Sequence, residues 1–321
     1  MGRRRVFLVT GLFCLAAIIF YAALFRNNPL KGVPTPYEAQ SMAVMVFPEV
    51  EAEGLLYRLL LKGEKAEFNH FRTEGDVAPE PGQEVIIGVT LSKDRGTLGI
   101  FSVAGDRPRL LEQLSTLPLQ GLQVIELEPG RQGILVRELL DESFGAYFCT
   151  SFYTLYLYQD GGYQEVWRKV VSNEERWPKK WIGQGEGWQG IKDEVEIDFV
   201  RDKGRLVIKT REKRIVWEGP EPGAAPLTGR ERFLARVYCW EPRWCAIILA
   251  EGEVQEETVL YLRQGARYIP QEKLAVGEKL AVLEEEEVWG GDSTPAGAYY
   301  RVKTIGGQVG FVRKKALKFL R

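Results

Sequence analysis

Residues 6–25 read VFLVTGLFCLAAIIFYAALF, twenty positions without a charge, and Arg3, Arg4 and Arg5 directly precede them. No other feature constrains this chain as much. An uncharged stretch of that length matches the roughly 30 Å hydrocarbon core of a bilayer when it is helical. The arginines before it stay on the cytoplasmic side, so the rest of the chain is expected outside. The rival reading is a cleaved signal peptide, whose apolar region is usually shorter and ends in a small-x-small site. Here the pairs two apart at the exit, Phe20/Ala22, Tyr21/Ala23 and Ala22/Leu24, are never both small. Ser41-Met42-Ala43 fits that pattern but lies too far downstream, and Phe13 before Cys14 does not suit a lipoprotein signal. The run is read as an uncleaved single-pass anchor in the cell membrane.

Taken whole, the chain has the composition of a folded protein, with 45% hydrophobic and 27% charged residues and a formal net charge of −1. That balance argues against nucleic acid as a partner, because no basic stripe is present to displace phosphate counterions. Beyond Cys14 there are three cysteines, Cys149, Cys239 and Cys245. A three-residue turn centred on Pro242 would set Trp240 opposite Trp244 and Cys239 opposite Cys245, close enough for a disulfide in an oxidising compartment. The alternative is two small buried thiols in a hairpin. Metal binding is not expected, since the spacing is not C-x₂₋₄-C and the single histidine, His70, is remote in sequence. No cofactor is implied.

Four regions follow. Residues 1–26 form the cytoplasmic stub and anchor, 27–54 a proline-rich stalk and linker, 55–258 a β-rich extracytoplasmic domain, and 259–321 a separate small domain. Period-two patterning begins in 55–71 and recurs in short runs such as 85–90, 97–103 and 121–127, divided by glycine and aspartate turns. The clearest hairpin joins FYTLYLY at 152–158 to 163–171 across Gln159-Asp160-Gly161-Gly162. Two stretches read as helical, 108–116 and 172–181. The predicted class is all-β with antiparallel sheets and small helical excursions. Asp94-Arg95-Gly96-Thr97-Leu98-Gly99-Ile100 is echoed by Asp202-Lys203-Gly204-Arg205-Leu206-Val207-Ile208. The echo resembles blades of propeller-like surface proteins, and equally any β-hairpin.

The C-terminal sixty residues carry a more specific pattern. Tyr261-Leu262-Arg263-Gln264-Gly265 opens it, Val276-Gly277-Glu278-Lys279-Leu280-Ala281-Val282-Leu283 continues it, and Gly306-Gly307-Gln308-Val309-Gly310-Phe311-Val312 closes it. This segment resembles a bacterial SH3-like (SH3b) domain over about a fifth of the chain, which implies a small C-terminal barrel. The family usually has tryptophan at Phe311, and 288–298 is a longer insertion than its usual loop. Such domains commonly occur in envelope proteins and often bind peptidoglycan or other wall polymers. By that resemblance Trp289, Tyr299 and Tyr300 are the candidate ligand-binding aromatics, although Trp and Tyr in small β domains also serve as core anchors. Tyr299 and Tyr300 are adjacent and must face opposite sides of a strand.

No catalytic residues are assigned. A Ser-His-Asp or Cys-His centre would have to use His70, and Cys149 sits in an apolar aromatic strand. Paired carboxylates are present, and the run Glu284 to Glu287 reads as a solvated strand end. The expectation is a membrane-anchored extracytoplasmic binding or scaffolding protein of the cell envelope, not an enzyme, which recognises wall polymer or an envelope protein. The alternatives are a carboxylate-based wall hydrolase and a sensor or assembly partner of another membrane protein.

Overall fold

The Asp160-Gly161 turn shows how this chain builds its sheets. Both residues have positive φ, 52° and 88°, which a two-residue hairpin loop needs to match the right-handed twist of its strands. Gln159 and Gly162 close the turn as a cross-strand pair. Lys203-Gly204 repeats the geometry at φ 49° and 79°, between Asp202 and Arg205. Short turns of this kind put each strand beside its sequence neighbour, so the chain meanders.

The computed structural model describes residues 56–57, 59–61, 68–103, 108–143, 147–221, 228–264, 267–287 and 298–320. The apolar run at 6–25 and the stalk at 27–54 lie outside them. Among the described residues no helix is long and apolar enough to cross a membrane. The described part is all-β, in three antiparallel sheets. The first holds β1 (Phe68–Gly75), β2 (Glu84–Thr90), β3 (Gly96–Ser102) and β4 (Arg109–Thr116) in chain order. The second is an eight-stranded meander of longer strands. It runs through β5 (Leu119–Glu128), β6 (Arg131–Ser143), β7 (Tyr147–Gln159), β8 (Gly162–Pro178), β9 (Trp188–Asp202), β10 (Arg205–Gly219), β11 (Thr228–Glu241) and β12 (Ala246–Ile248).

The third sheet contains β13 (Ala250–Val254), β14 (Thr258–Gln264), β15 (Arg267–Leu274), β16 (Lys279–Glu287), β17 (Ala298–Lys303), β18 (Val309–Arg313) and β19 (Leu317–Leu320). Its spatial order is β15-β14-β18-β17-β16-β13-β19. β13 pairs with both β16 and β19, so this sheet begins before position 259, within the stretch assigned above to the middle domain.

Side-chain alternation divides the interior. In β6, Leu135 joins a cluster with Leu155, Trp167, Ile208, Tyr238 and Trp240 on one face of the second sheet. Its neighbours Ile134 and Val136 point the other way and pack with Ile86, Leu98 and Ile100 of the first sheet. The strand is thus buried on both faces, as its continuous apolar run Ile134-Leu135-Val136 suggests. The third sheet closes on Val254, Leu260, Leu280, Val282, Val302 and Val312. Gly310 permits that closure: a Cβ there would stand 2.7 Å from Leu260 Cγ and 2.8 Å from the Tyr261 carbonyl oxygen. A smaller cluster of Trp244, Ala246, Ile248 and Ala281 joins β12 to β16.

Several expectations are corrected. Residues 108–116 do not form a helix; Arg109–Thr116 is β4, paired with β3 along its whole length. Leu110, Leu111 and Leu114 have helical spacing, but β3 is buried throughout and needs a strand on each side. In 172–181, Ser172–Pro178 continues β8 between β7 and β9, and only Lys179–Ile182 forms a single 3₁₀ turn. Residues 56–57 and 59–61, expected as strand, are helical, with Leu56, Leu60 and Leu61 buried. The echoed turns also differ. Asp202 closes a two-residue loop, whereas Asp94 lies in a longer loop closed by Leu91 N–H donating to the Arg95 carbonyl at 2.9 Å.

Candidate functional site

Four long strands of the second sheet, β8 to β11, and the third sheet enclose a cleft of about 600 Å³. Its floor is ionic. β8 is bulged on either side of Arg168–Val170, and Lys169 turns inward beside the core residue Tyr238. Lys169 is 8% exposed and pairs with Glu212 of β10 at 2.7 Å and Glu284 of β16 at 3.3 Å. Arg236 of β11, 9% exposed, also pairs with Glu212 at 2.7 Å. It reaches Glu285 at 3.4 Å and Glu284 at 3.6 Å. Tyr238 accepts from Lys169 at 3.3 Å and donates to Glu284 at 2.7 Å. Lys314 completes the set through Glu285.

This arrangement fixes the protonation states. Burial pushes the Glu212 carboxyl upward, but Lys169 and then Arg236 outweigh it, and its pKa lies below the usual range. Glu212 is therefore anionic near neutrality and is no proton donor. Burial, reinforced by Glu284, raises the Tyr238 hydroxyl well above the ordinary tyrosine value, so it keeps its proton. Burial and then the charges of Arg236 and Arg232 lower the Lys314 amine. Cations are crowded here.

The rim is richer in cations than the floor. Arg168, Arg214 and Arg301 are each about one-third exposed, at 33%, 39% and 37%. Arg232 and Arg263 also line the opening. Seven cationic side chains line the cleft against four acidic ones, Asp193, Glu212, Glu284 and Glu285. Arg214 holds Asp193 in a two-pronged contact at 2.6 and 2.9 Å. It stands directly opposite Arg232 in the β10–β11 register. Phe311 adds an apolar wall. Guanidinium forks match the geometry of carboxylate or phosphate oxygens.

The residues singled out from sequence lie elsewhere. Tyr299 is fully buried, its ring stacked on Tyr268 at 4.6 Å between centroids. Tyr300 faces the opposite side and packs against Phe319, with centroids 5.1 Å apart, and Lys314. Trp289 lies outside the described residues. Of the middle-domain tryptophans, Trp167 is in the core and Trp181 is exposed. Cys239 and Cys245 are free thiols. The turn spans Pro242 to Cys245, so Glu241 faces Ala246 and Cys239 faces Ile248, not Cys245. Cys245 sits inside the turn at φ 44°. Glu284 and Glu285, read as solvated, are about three-quarters buried and ion-paired. The available signal was Arg230, Arg232 and Arg236, which period two places on one face of a strand. Among the described residues no group of His, Cys, Asp and Glu is arranged to hold a metal ion. Compared with known proteins, the chain matches no family model, no curated protein and no solved structure.

Proposed function

We propose that this chain is a membrane-anchored, extracytoplasmic binding protein of the bacterial cell envelope that holds an anionic wall polymer in the basic cleft. The guanidinium rim over a neutralised ionic floor is the observation that carries this reading. Peptidoglycan, with its stem-peptide carboxylates, suits planar arginine forks. Phe311 offers apolar contact at the same mouth. The third sheet is read as the SH3-like domain that its glycine-aromatic-valine ending resembles, and the uncharged run at 6–25 as its tether. The role in this reading is binding and not catalysis.

Cosedimentation of the full chain in detergent micelles with purified peptidoglycan tests the proposal. Binding at low salt that falls steeply with added salt is expected, and Arg168→Gln/Arg301→Gln should weaken it markedly, with urea denaturation confirming that the variant is folded. Protein remaining in the supernatant at low salt would sink the wall-polymer reading.

A further inference from the structure

The outer edge of β11 is open over most of its length. β12 covers only Cys239, Trp240 and Glu241 of it. No other strand among the described residues pairs with that side. Residues 228–238 therefore present backbone N–H and C=O groups along roughly 36 Å, at about 3.3 Å per residue. A long open edge is a template for a further strand unless charge or a bulge blunts it. The β10–β11 register runs without a shift from Val207↔Cys239 to Glu218↔Thr228, so strict alternation holds. Arg230 and Arg232 stand on the cleft face and both are exposed. Phe233, Ala235 and Val237 stand on the other face, Phe233 at 68% and Val237 at 51% exposure.

We propose that this edge binds an extended protein segment in which acidic and apolar residues alternate, adding it as a new strand to the second sheet. Main-chain hydrogen bonds supply the pairing and alternate side chains supply selectivity. The acidic residues of the segment meet Arg230 and Arg232, and its apolar residues lengthen the stripe of Phe233, Ala235 and Val237. A second copy of this chain is the poorer occupant. Antiparallel self-pairing centred on Phe233 sets Arg230 against Arg236, and centring it on Leu234 sets Arg232 against Arg236. Like charges directly opposite one another destabilise a sheet. The inference goes beyond wall-polymer binding: it requires the β11 backbone, which the cleft does not.

Fluorescence anisotropy with the full chain in detergent micelles tests it, using a fluorescein-labelled octapeptide that alternates glutamate with valine. Saturable binding is expected. The same peptide with every backbone nitrogen methylated, and a block peptide of four glutamates then four valines, should each bind at least about tenfold more weakly. Phe233→Lys/Val237→Lys should weaken the alternating peptide several-fold and leave peptidoglycan cosedimentation unchanged, which separates this site from the cleft. Equal binding of the methylated or block peptide would show attraction by charge alone and overturn the proposal. So would no binding of the alternating peptide, or a chain dimer that this double substitution dissociates.

Discussion

Removing the charge of Lys169 should expose how the cleft floor is held. Lys169 and Arg236 face Glu212 and Glu284, two cations against two anions. Lys169→Met keeps the buried stem but leaves one negative charge in excess. Breaking a buried pair by deleting one partner typically costs about 3–5 kcal/mol. The lower end applies, because Glu212 keeps Arg236 at 2.7 Å and Glu284 keeps the Tyr238 hydroxyl at 2.7 Å. We expect a loss of about 3 kcal/mol, or roughly 6–12 °C in melting temperature for a folded unit of this size. Lys169→Met/Glu212→Gln restores one cation to one anion and should recover at least about half of that loss, since a pair replaced by neutral groups is often close to neutral in stability. Urea denaturation followed by tryptophan fluorescence measures both. The effect should persist in high salt, because buried pairs are weakly screened. A single-mutant loss below about 1 kcal/mol, the range of exposed pairs, would refute the reasoning. So would a double mutant no more stable than the single one.

Three further outcomes follow from the same geometry. Glu212 has a lowered folded pKa, so its stabilising contribution is complete above its unfolded value of 4.5 and is lost as pH falls from there through the folded value. Melting temperatures scanned downward from pH 6 should drop below about pH 4.5 in wild type and drop less in Glu212→Gln. Gly310→Ala forces a Cβ within 2.8 Å of the Tyr261 carbonyl oxygen, a backbone atom, and should cost about 1–3 kcal/mol as overpacking, read from the urea midpoint. Glu84 is 2% exposed and accepts the N–H groups of Val77 and Ala78 at 2.9 and 3.2 Å. Glu84→Ala leaves both donors unsatisfied and should cost about 2 kcal/mol or more, with faster amide exchange at Val77 as the local signature.

Local chemistry made much of the β architecture readable. Asp160-Gly161 between alternating aromatics could only be a tight hairpin, and the strands at 85–90, 97–103 and 121–127 lie within β2, within one residue of β3 and within β5. Misreadings occurred where pairing overrode local pattern. The leucine spacing of 108–116 favours a helix in isolation, yet the edge of β3 gains a full ladder of hydrogen bonds when that segment is extended. The glutamates of 284–287 look solvated in a linear sequence because their cations, Lys169, Arg236 and Lys314, come from other parts of the chain.

The amino-acid sequence by itself determined the all-β class and the hairpin turns, because each depends on residues near one another in the chain. Period two also put Arg230, Arg232 and Arg236 on one strand face. Only the tertiary structure decided that this face meets β16 across a cleft, that Tyr299 is buried, and that β12 stops short and leaves the β11 edge open. Those facts depend on contacts between segments far apart in the chain, such as Arg236 with Glu285, 49 residues apart, and Lys169 with Glu284, 115 residues apart. No local pattern encodes which distant strand a side chain will face.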